Sequence, residues 1–302
     1  MATELIGSLE YLRDVPKSRE QPHRKHRSLR GLVLLLVVIA AVIVYIGYRR
    51  ITPVLEGTGC RAVAGRETYT LDPEQARIAA TIAGVAHKQS MPEDAVTIAY
   101  AAALQESKLH NLSYGDMDSV GVFQQRPSEG WGSTRQLEDP VYATTQFFRA
   151  LTGVHNYLKL PVYQAAQAVQ RSADGTAYMQ YQQMAAKLAG TFTGRDAHGV
   201  SCWSASTTPK RTNLAGADVE LARTFGGVSV RQNGPANTGH RAQLLVPPAP
   251  DGWEVAAWLV THATSYGIRE VRFGGYQWQA STGFHGWSKD AGAPPPGVIQ
   301  LS

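Results

Sequence analysis

The most uniform pattern in the chain is an apolar one. From Gly31 to Tyr48 it reads GLVLLLVVIAAVIVYIGY, eighteen residues without a charge. At 1.5 Å per residue, a helix of that length spans roughly 27 Å, close to the hydrocarbon thickness of a bilayer. A buried core helix rarely lacks polar residues on every face. A cleaved signal peptide has a shorter apolar region, and YRRITPV offers no small-x-small cleavage site. The pattern therefore predicts one uncleaved transmembrane helix over residues 31–48.

Beyond a short spacer (Ile51–Gly59), apolar positions recur with helical spacing. LDPEQARIAATIAGVAHK opens with Asp72 as N-cap, Pro73 at the first helical position and Gln75 in capping-box register. SMPEDAVTIAYAAALQES is Ala-rich through Glu106, with Ser90 and Glu93 in the same register. DPVYATTQFFRALTG starts on Asp139-Pro140 and stops at Gly153, and PVYQAAQAVQRS and TAYMQYQQMAAKLAG supply two more helices. A small, hydroxylated stretch, Ser204–Thr212, has linker composition. After it VSVRQ, RAQLLVP, EVRFGG and GVIQLS read as strands around one amphipathic helix, GWEVAAWLVTHATSYG. The fold class expected is α+β: a cytoplasmic basic tail (1–30), a single transmembrane helix (31–48), a mainly-α domain (60–202) and a small C-terminal α+β domain (213–302).

Charge and cysteines give this order an orientation. Residues 1–30 carry seven Lys/Arg against four acids, and Arg49 and Arg50 follow the apolar run. The remaining 20 basic and 20 acidic side chains cancel, so the net charge of +5 belongs to the N-terminal segment. That removes electrostatic support for nucleic-acid binding by the main body. The basic excess before the helix predicts a cytoplasmic N-terminus, with residues 51–302 outside the cell membrane. The only two cysteines, Cys60 and Cys202, bracket the helical segment. Outside the cell such a pair most simply forms a disulfide, stabilising by on the order of 4–5 kcal/mol in the chain-entropy model. Two unpaired thiols are the alternative.

One carboxyl group stands out in QESKLHNLSYGDMDSVGVFQQRPSEGWG, Gln105–Gly132. Glu106 ends the Ala-rich helix, where the macrodipole disfavours negative charge, and it borders an apolar core. Both effects favour the protonated carboxyl that glycosidic bond cleavage uses to protonate a leaving oxygen. In the loop that follows, Gln124 and Gln125 each donate and accept, matching sugar hydroxyl and acetamido groups. Tyr114 and Trp131 are candidates for stacking on pyranose faces. By itself a lone Glu at a helix end is more often solvated surface.

These residues resemble the signature of the lysozyme-like superfamily, specifically soluble-lytic-transglycosylase-type domains. Glu106-Ser107 matches the Glu-Ser pair that ends one helix in that family, and Gly121-Val122-Phe123-Gln124 matches its Gly-Leu-Met-Gln-type segment. AAQAVQRSA, Ala165–Ala173, is similar to a later helix in a group common in secreted or anchored actinobacterial proteins. The resemblance spans most of Arg66–Gly190. It implies Glu106 as general acid/base, Gln124 as a substrate-positioning residue and Ser107 as its support. Where the family carries an Ala-Tyr-Asn-type segment that holds substrate, this chain has Val169 and Gln170.

A retaining or inverting hydrolase needs a second carboxylate. Asp116 and Asp118 are the sequence-near candidates, and both read as loop-structuring. A single Glu fits attack by the muramic acid C6 hydroxyl and a 1,6-anhydro product, with no metal or organic cofactor.

The C-terminal segment resembles zinc D-alanyl-D-alanine carboxypeptidases, with His240 in place. The expected Asp falls on Gln243 or Leu244, and the closing His-x-His reads Val298 and Gln300. Catalytic zinc takes three protein ligands. The expectation is a metal-free, non-catalytic copy, its His262 and His285 ordinary histidines and its aromatics Trp253, Trp258, Tyr276, Trp278 and Trp287 core or interface. The function expected is peptidoglycan glycan-strand cleavage by a membrane-anchored enzyme. The alternatives are a silent scaffold that binds glycan strands or an envelope protein complex, and a membrane sensor.

Overall fold

The computed structural model describes residues 25–55, 57–171, 176–204, 211–228, 230–232, 242–247, 251–294 and 297–302. Most of the basic tail, most of the expected linker, His240 and residues 172 and 173 of the AAQAVQRSA segment lie outside them. The chain divides into two compact units, Met1–Ile51 and Thr52–Ser302.

The first unit is described by helix α1 (Lys25–Leu55). The described side chains of α1 end at Gly47, and its large apolar ones, from Leu32 to Ile46, are 44% to 70% exposed. Among the described residues no helix is long and apolar enough to cross a membrane.

The second unit begins with a hairpin, β1 (Gly59–Ala64) and β2 (Glu67–Leu71), turning at Gly65. Helices α2 (Pro73–Lys88) and α3 (Glu93–Glu106) follow, then α4 (Thr134–Leu137), α5 (Pro140–Thr152), α6 (Val162–Gln170) and α7 (Gln182–Phe192). The chain returns as β3 (Val200–Trp203), antiparallel to β1, giving a sheet of order β2-β1-β3. Cys60 lies directly opposite Cys202 in that register, and the two form a disulfide. The segment expected to be helix after helix thus closes on a small sheet. Its strands are too short, and too near turns, to show a clear alternation.

Local signals place the helix ends. Asp72 accepts from the backbone N–H of Glu74 and Gln75, and Gln75 Oε1 accepts from Asp72 N–H, completing the capping box. Asp139 caps α5 through Val141 N–H. The Ser90–Glu93 box does not form: α3 starts after Pro92, and Ser90 has φ +53° in the preceding turn. Glu93 is turned instead toward Arg195 and the hydroxyl of Thr193 near the end of α7.

Helix α3 is the axis of the helical part. Its residues 95–104 are buried on every face, and half of them are alanines, so α2, α5, α6 and α7 approach it closely. Its two ends reach the surface, the first turn at Glu93 and Asp94 and the last at Gln105 and Glu106.

The C-terminal part comprises α8 (Leu214–Phe225), β4 (Val230–Gln232), β5 (Ala242–Leu245), α9 (Asp251–Tyr266), β6 (Glu270–Phe273), β7 (Tyr276–Gln279), β8 (Ser288–Lys289) and β9 (Val298–Leu301). Its strands form an antiparallel sheet of order β4-β5-β9-β6-β7-β8. The α+β class therefore holds. Sequence reading separates this part from residues 60–202 as a second domain, but the two share one core. Trp278 Nε1 donates to the Cys202 carbonyl at 3.2 Å, Trp287 Nε1 to Val200 at 2.7 Å, and Ser201 Oγ to Gly283 at 2.6 Å. Helix α9 packs on α2, and there Glu254, 5% exposed, meets His87 Nδ1 at 3.0 Å. Apolar faces on both sides of a linker bury each other, which a change of composition along the chain does not reveal.

Candidate active site

Glu106 sits where the buried axis helix reaches the surface. Its Oε1 accepts a 2.6 Å hydrogen bond from the hydroxyl of Tyr178, a fully buried side chain just before α7. Its Oε2 has no hydrogen-bond partner among the described residues, so one carboxyl oxygen is fixed and the other is open.

Two further bonds tie the motif halves together. Ser107 is 5% exposed, and its Oγ donates to the Val122 carbonyl at 2.7 Å while accepting from His110 N–H at 3.2 Å. Gln170 Nε2, at the end of α6, donates to the Phe123 carbonyl at 2.7 Å. The Val122-Phe123 backbone is thereby held from the Glu106 helix on one side and from α6 on the other. Phe123 stacks on Phe147 of α5, with ring centroids 4.5 Å apart.

The loop between the two halves is unusually constrained. Of the eight non-glycine residues with positive φ among the described residues, four are Lys108, Leu109, Met117 and Gln124. Two consecutive left-handed residues immediately after the Glu-Ser pair are costly, and Leu109 is also fully buried. Gly121, at φ +79°, allows the loop to pass Leu137, whose carbonyl oxygen would lie 2.3 Å from a Cβ there. Asp118 accepts from Arg126 Nε at 2.9 Å and from Ser128 N–H at 2.8 Å. The Arg126 hydrogen bond, followed by that of Ser128, brings the Asp118 carboxyl down to about 2. This pairing accounts for Asp118 as a loop-structuring residue. His110 bridges the Ser107 carbonyl (3.2 Å) and Asp72 Oδ2 (2.8 Å), joining the loop to the N-cap of α2. Burial opposes its protonation, but Asp72 outweighs that and raises its pKa.

The sequence-derived residues fall into two groups. Ser107 and Gln170 converge on the Val122-Phe123 backbone, and Glu106 precedes Ser107 with its carboxyl held by Tyr178. Tyr114 is on the loop and 71% exposed, and Trp131 is partly buried against the core. Gln124 turns its Nε2 back to the carbonyls of Gly121 (3.1 Å) and Tyr114 (3.3 Å), so its amide bridges the loop. Gln125 does not line the surface with it. It is 2% exposed, pairs with Val120 through the backbone, and donates from Nε2 to the Ala143 carbonyl at 3.3 Å. Gln124 has left-handed backbone (φ +47°) in the turn that precedes Gln125, so the two side chains leave the chain in different directions and only Gln125 is buried. Tyr178 escaped sequence reading, because nothing local distinguishes it from the other tyrosines of TAYMQYQQ.

In the C-terminal sheet, Gln243 stands opposite Gln300, and Gln300 opposite Arg272. Arg272 Nη1 donates to Gln300 Oε1 at 3.0 Å and its Nε to Asp290 at 2.6 Å. Two of the positions read as degenerate metal ligands are thus neighbours, with a guanidinium beside them. Leu244 is fully buried. His262 is buried against Trp258, its Nδ1 2.9 Å from the Trp258 carbonyl. Trp253, Trp258 and Trp278 are core residues, and Tyr276 and Trp287 pack against that core. Among the described residues no group of three or more His, Cys, Asp or Glu is placed to hold a metal ion. No family model matches the chain, and no curated protein matches it.

Proposed function

We propose that the protein is a membrane-anchored enzyme that cleaves peptidoglycan glycan strands as a lytic transglycosylase, with Glu106 as its single acid/base. The observation that carries this reading is the Glu106 carboxyl at the end of a buried helix, one oxygen held by Tyr178 and the other open. In the reaction the Glu106 carboxyl gives its proton to the glycosidic oxygen as the bond from that oxygen to the muramic acid C1 breaks. The C6 hydroxyl of the same sugar then attacks C1, and its proton returns to the Glu106 carboxylate. The product is a 1,6-anhydro ring, no water is consumed, and no cofactor takes part. The commitment of Asp118 to Arg126 and Ser128 favours a single carboxyl over a hydrolytic pair. The strained loop beside Glu106 is a further support, since such strain gathers at functional sites.

The anchor is the uncharged run Gly31–Tyr48, one residue longer than the described side chains of α1. The exposed apolar side chains from Leu32 to Ile46 favour a lipid surrounding. The basic excess before it places the N-terminus in the cytoplasm and residues 51–302 against the wall.

A second reading is a silent glycan-binding or envelope scaffold. It draws support from Gln124 and Gln170, whose amides are both occupied by backbone carbonyls. The deciding experiment incubates the full chain in detergent, wild type and Glu106→Gln, with purified peptidoglycan and weighs the released muropeptides. Anhydro-muropeptides from wild type alone establish the enzyme. Reducing-end products would indicate a hydrolase. No release by either, with both sedimenting on the wall, would replace the enzyme with the scaffold.

A further inference from the structure

Away from Glu106, the small sheet carries a cation with no counter-charge among the described residues. Arg61 lies on the central strand β1, opposite Ser201 on β3 and Thr70 on β2. Its guanidinium carbon sits 5.4 Å from the Trp203 ring centroid and 5.0 Å from that of Phe284, and the two rings meet edge to face. Trp203 can lie against the strand because its cross-strand partner is Gly59, where a Cβ would stand 2.8 Å from the indole. Phe284 belongs to the 3-10 helix Gly283–His285, which Ser201 fastens to the sheet.

Within this aromatic enclosure, Arg61 Nε and Nη2 are both buried and neither has a hydrogen-bond partner among the described residues. The Trp203 Nε1 is in the same condition. Buried donors are almost always paired, so three orphans at one place require an explanation. Nε and Nη2 form one straight edge of the guanidinium, with parallel N–H groups spaced to meet the two oxygens of a carboxylate. Burial lowers the pKa of Arg61, and no neighbouring acid opposes it.

We propose that this edge is a carboxylate-binding site for the C-terminus of a peptide. Nε–H and Nη2–H each donate to one carboxylate oxygen, Trp203 Nε1–H supplies a third donor, and the two rings hold the terminal side chain. The two oxygens of a flat carboxylate match the two parallel donors in one plane. Phe284, which is only partly buried, is the ring that would turn aside to admit the ligand. The site does not depend on the reading of Glu106.

The test uses the full chain in detergent with its disulfide intact, titrated calorimetrically with D-alanyl-D-alanine, L-alanyl-L-alanine and the C-terminal amide of each. At least one free acid should bind saturably, about 10-fold or more tighter than its amide. Preference for the D,D form would assign the ligand to wall stem peptides, and preference for the L,L form to protein C-termini. Arg61→Met should weaken binding by about 10-fold or more, and Trp203→Phe by about 3-fold. The comparison of acid with amide is made on wild-type protein, so it decides even if Arg61→Met fails to fold. Equal binding of acid and amide, unchanged binding by Arg61→Met, or no saturable binding up to about 10 mM would each overturn the site.

Discussion

Tyr178 Oη donates to Glu106 Oε1 at 2.6 Å, across 72 positions of sequence. A tyrosine brought from outside the motif thus sets the orientation of the carboxyl on which the proposed chemistry depends. Tyr178→Phe keeps the buried ring and removes the hydroxyl that donates to Glu106. It should lower turnover on peptidoglycan by about 10-fold, because an acid/base acts through positioning. KM and the melting temperature should stay near wild type, as a single hydrogen bond to a partly buried carboxyl contributes about 1 kcal/mol. A steady-state comparison checks this, and a loss confined to stability would assign Tyr178 to packing alone.

Ser107 is the joint between the halves of the motif. Ser107→Ala leaves the Val122 carbonyl without its 2.7 Å donor in a buried setting, at a cost of about 1–3 kcal/mol. Denaturant unfolding should show that loss, and activity should fall with it, since the loop carrying Gln124 is no longer tied to the Glu106 helix. Ser107→Thr, if its methyl is accommodated, should recover part of both.

Two buried groups at the helical–sheet seam oppose each other in their response to pH. Burial pushes Glu254 up from 4.5 to about 7, against the hydrogen bond and charge of His87, while Asp251 on the same helix adds to the rise. The hydrogen bond to Glu254 in turn raises His87 above 6.5. A folded pKa above the unfolded one means stability present at low pH and lost as pH climbs, here from 4.5 through 7. Burial pulls His262 down from 6.5 to about 3, with the charge of Arg77 assisting, so its contribution is lost as pH falls from 6.5 toward 3. Between pH 4.5 and 6.5 the two slopes cancel, and wild type should be nearly level there and decline above. Glu254→Gln removes the alkaline arm, worth on the order of 3 kcal/mol. Its stability should rise from pH 4.5 to 6.5 and then hold. Denaturation at pH 4.5, 6.5 and 8 distinguishes the two profiles.

The disulfide joins the strand that begins the compact unit to the one that closes its helical part. Replacing Cys60 and Cys202 with serine should destabilise by about 2–5 kcal/mol and lower the melting temperature, with reducing agent acting on wild type in the same direction. An unchanged melting temperature would mean that the shared core alone holds β1 against β3.

What the sequence determined is what local chemistry controls. Asp72 with Gln75, and Asp139 with Pro140, mark helix starts because capping bonds reach only two or three residues. The cysteine pair was legible for a different reason, since the only two cysteines of the chain have only each other to pair with. Ser90 and Glu93 show the limit of such signals: the spacing was right, but Pro92 took the cap position and Arg195 drew Glu93 away. The burial of Gln125, the arrival of Tyr178 at Glu106, the orphan edge of Arg61 and the fusion of helical and sheet parts into one core were decided by tertiary packing. Each depends on elements tens of residues apart burying apolar faces against one another, and a one-dimensional pattern shows which faces are apolar without showing what covers them.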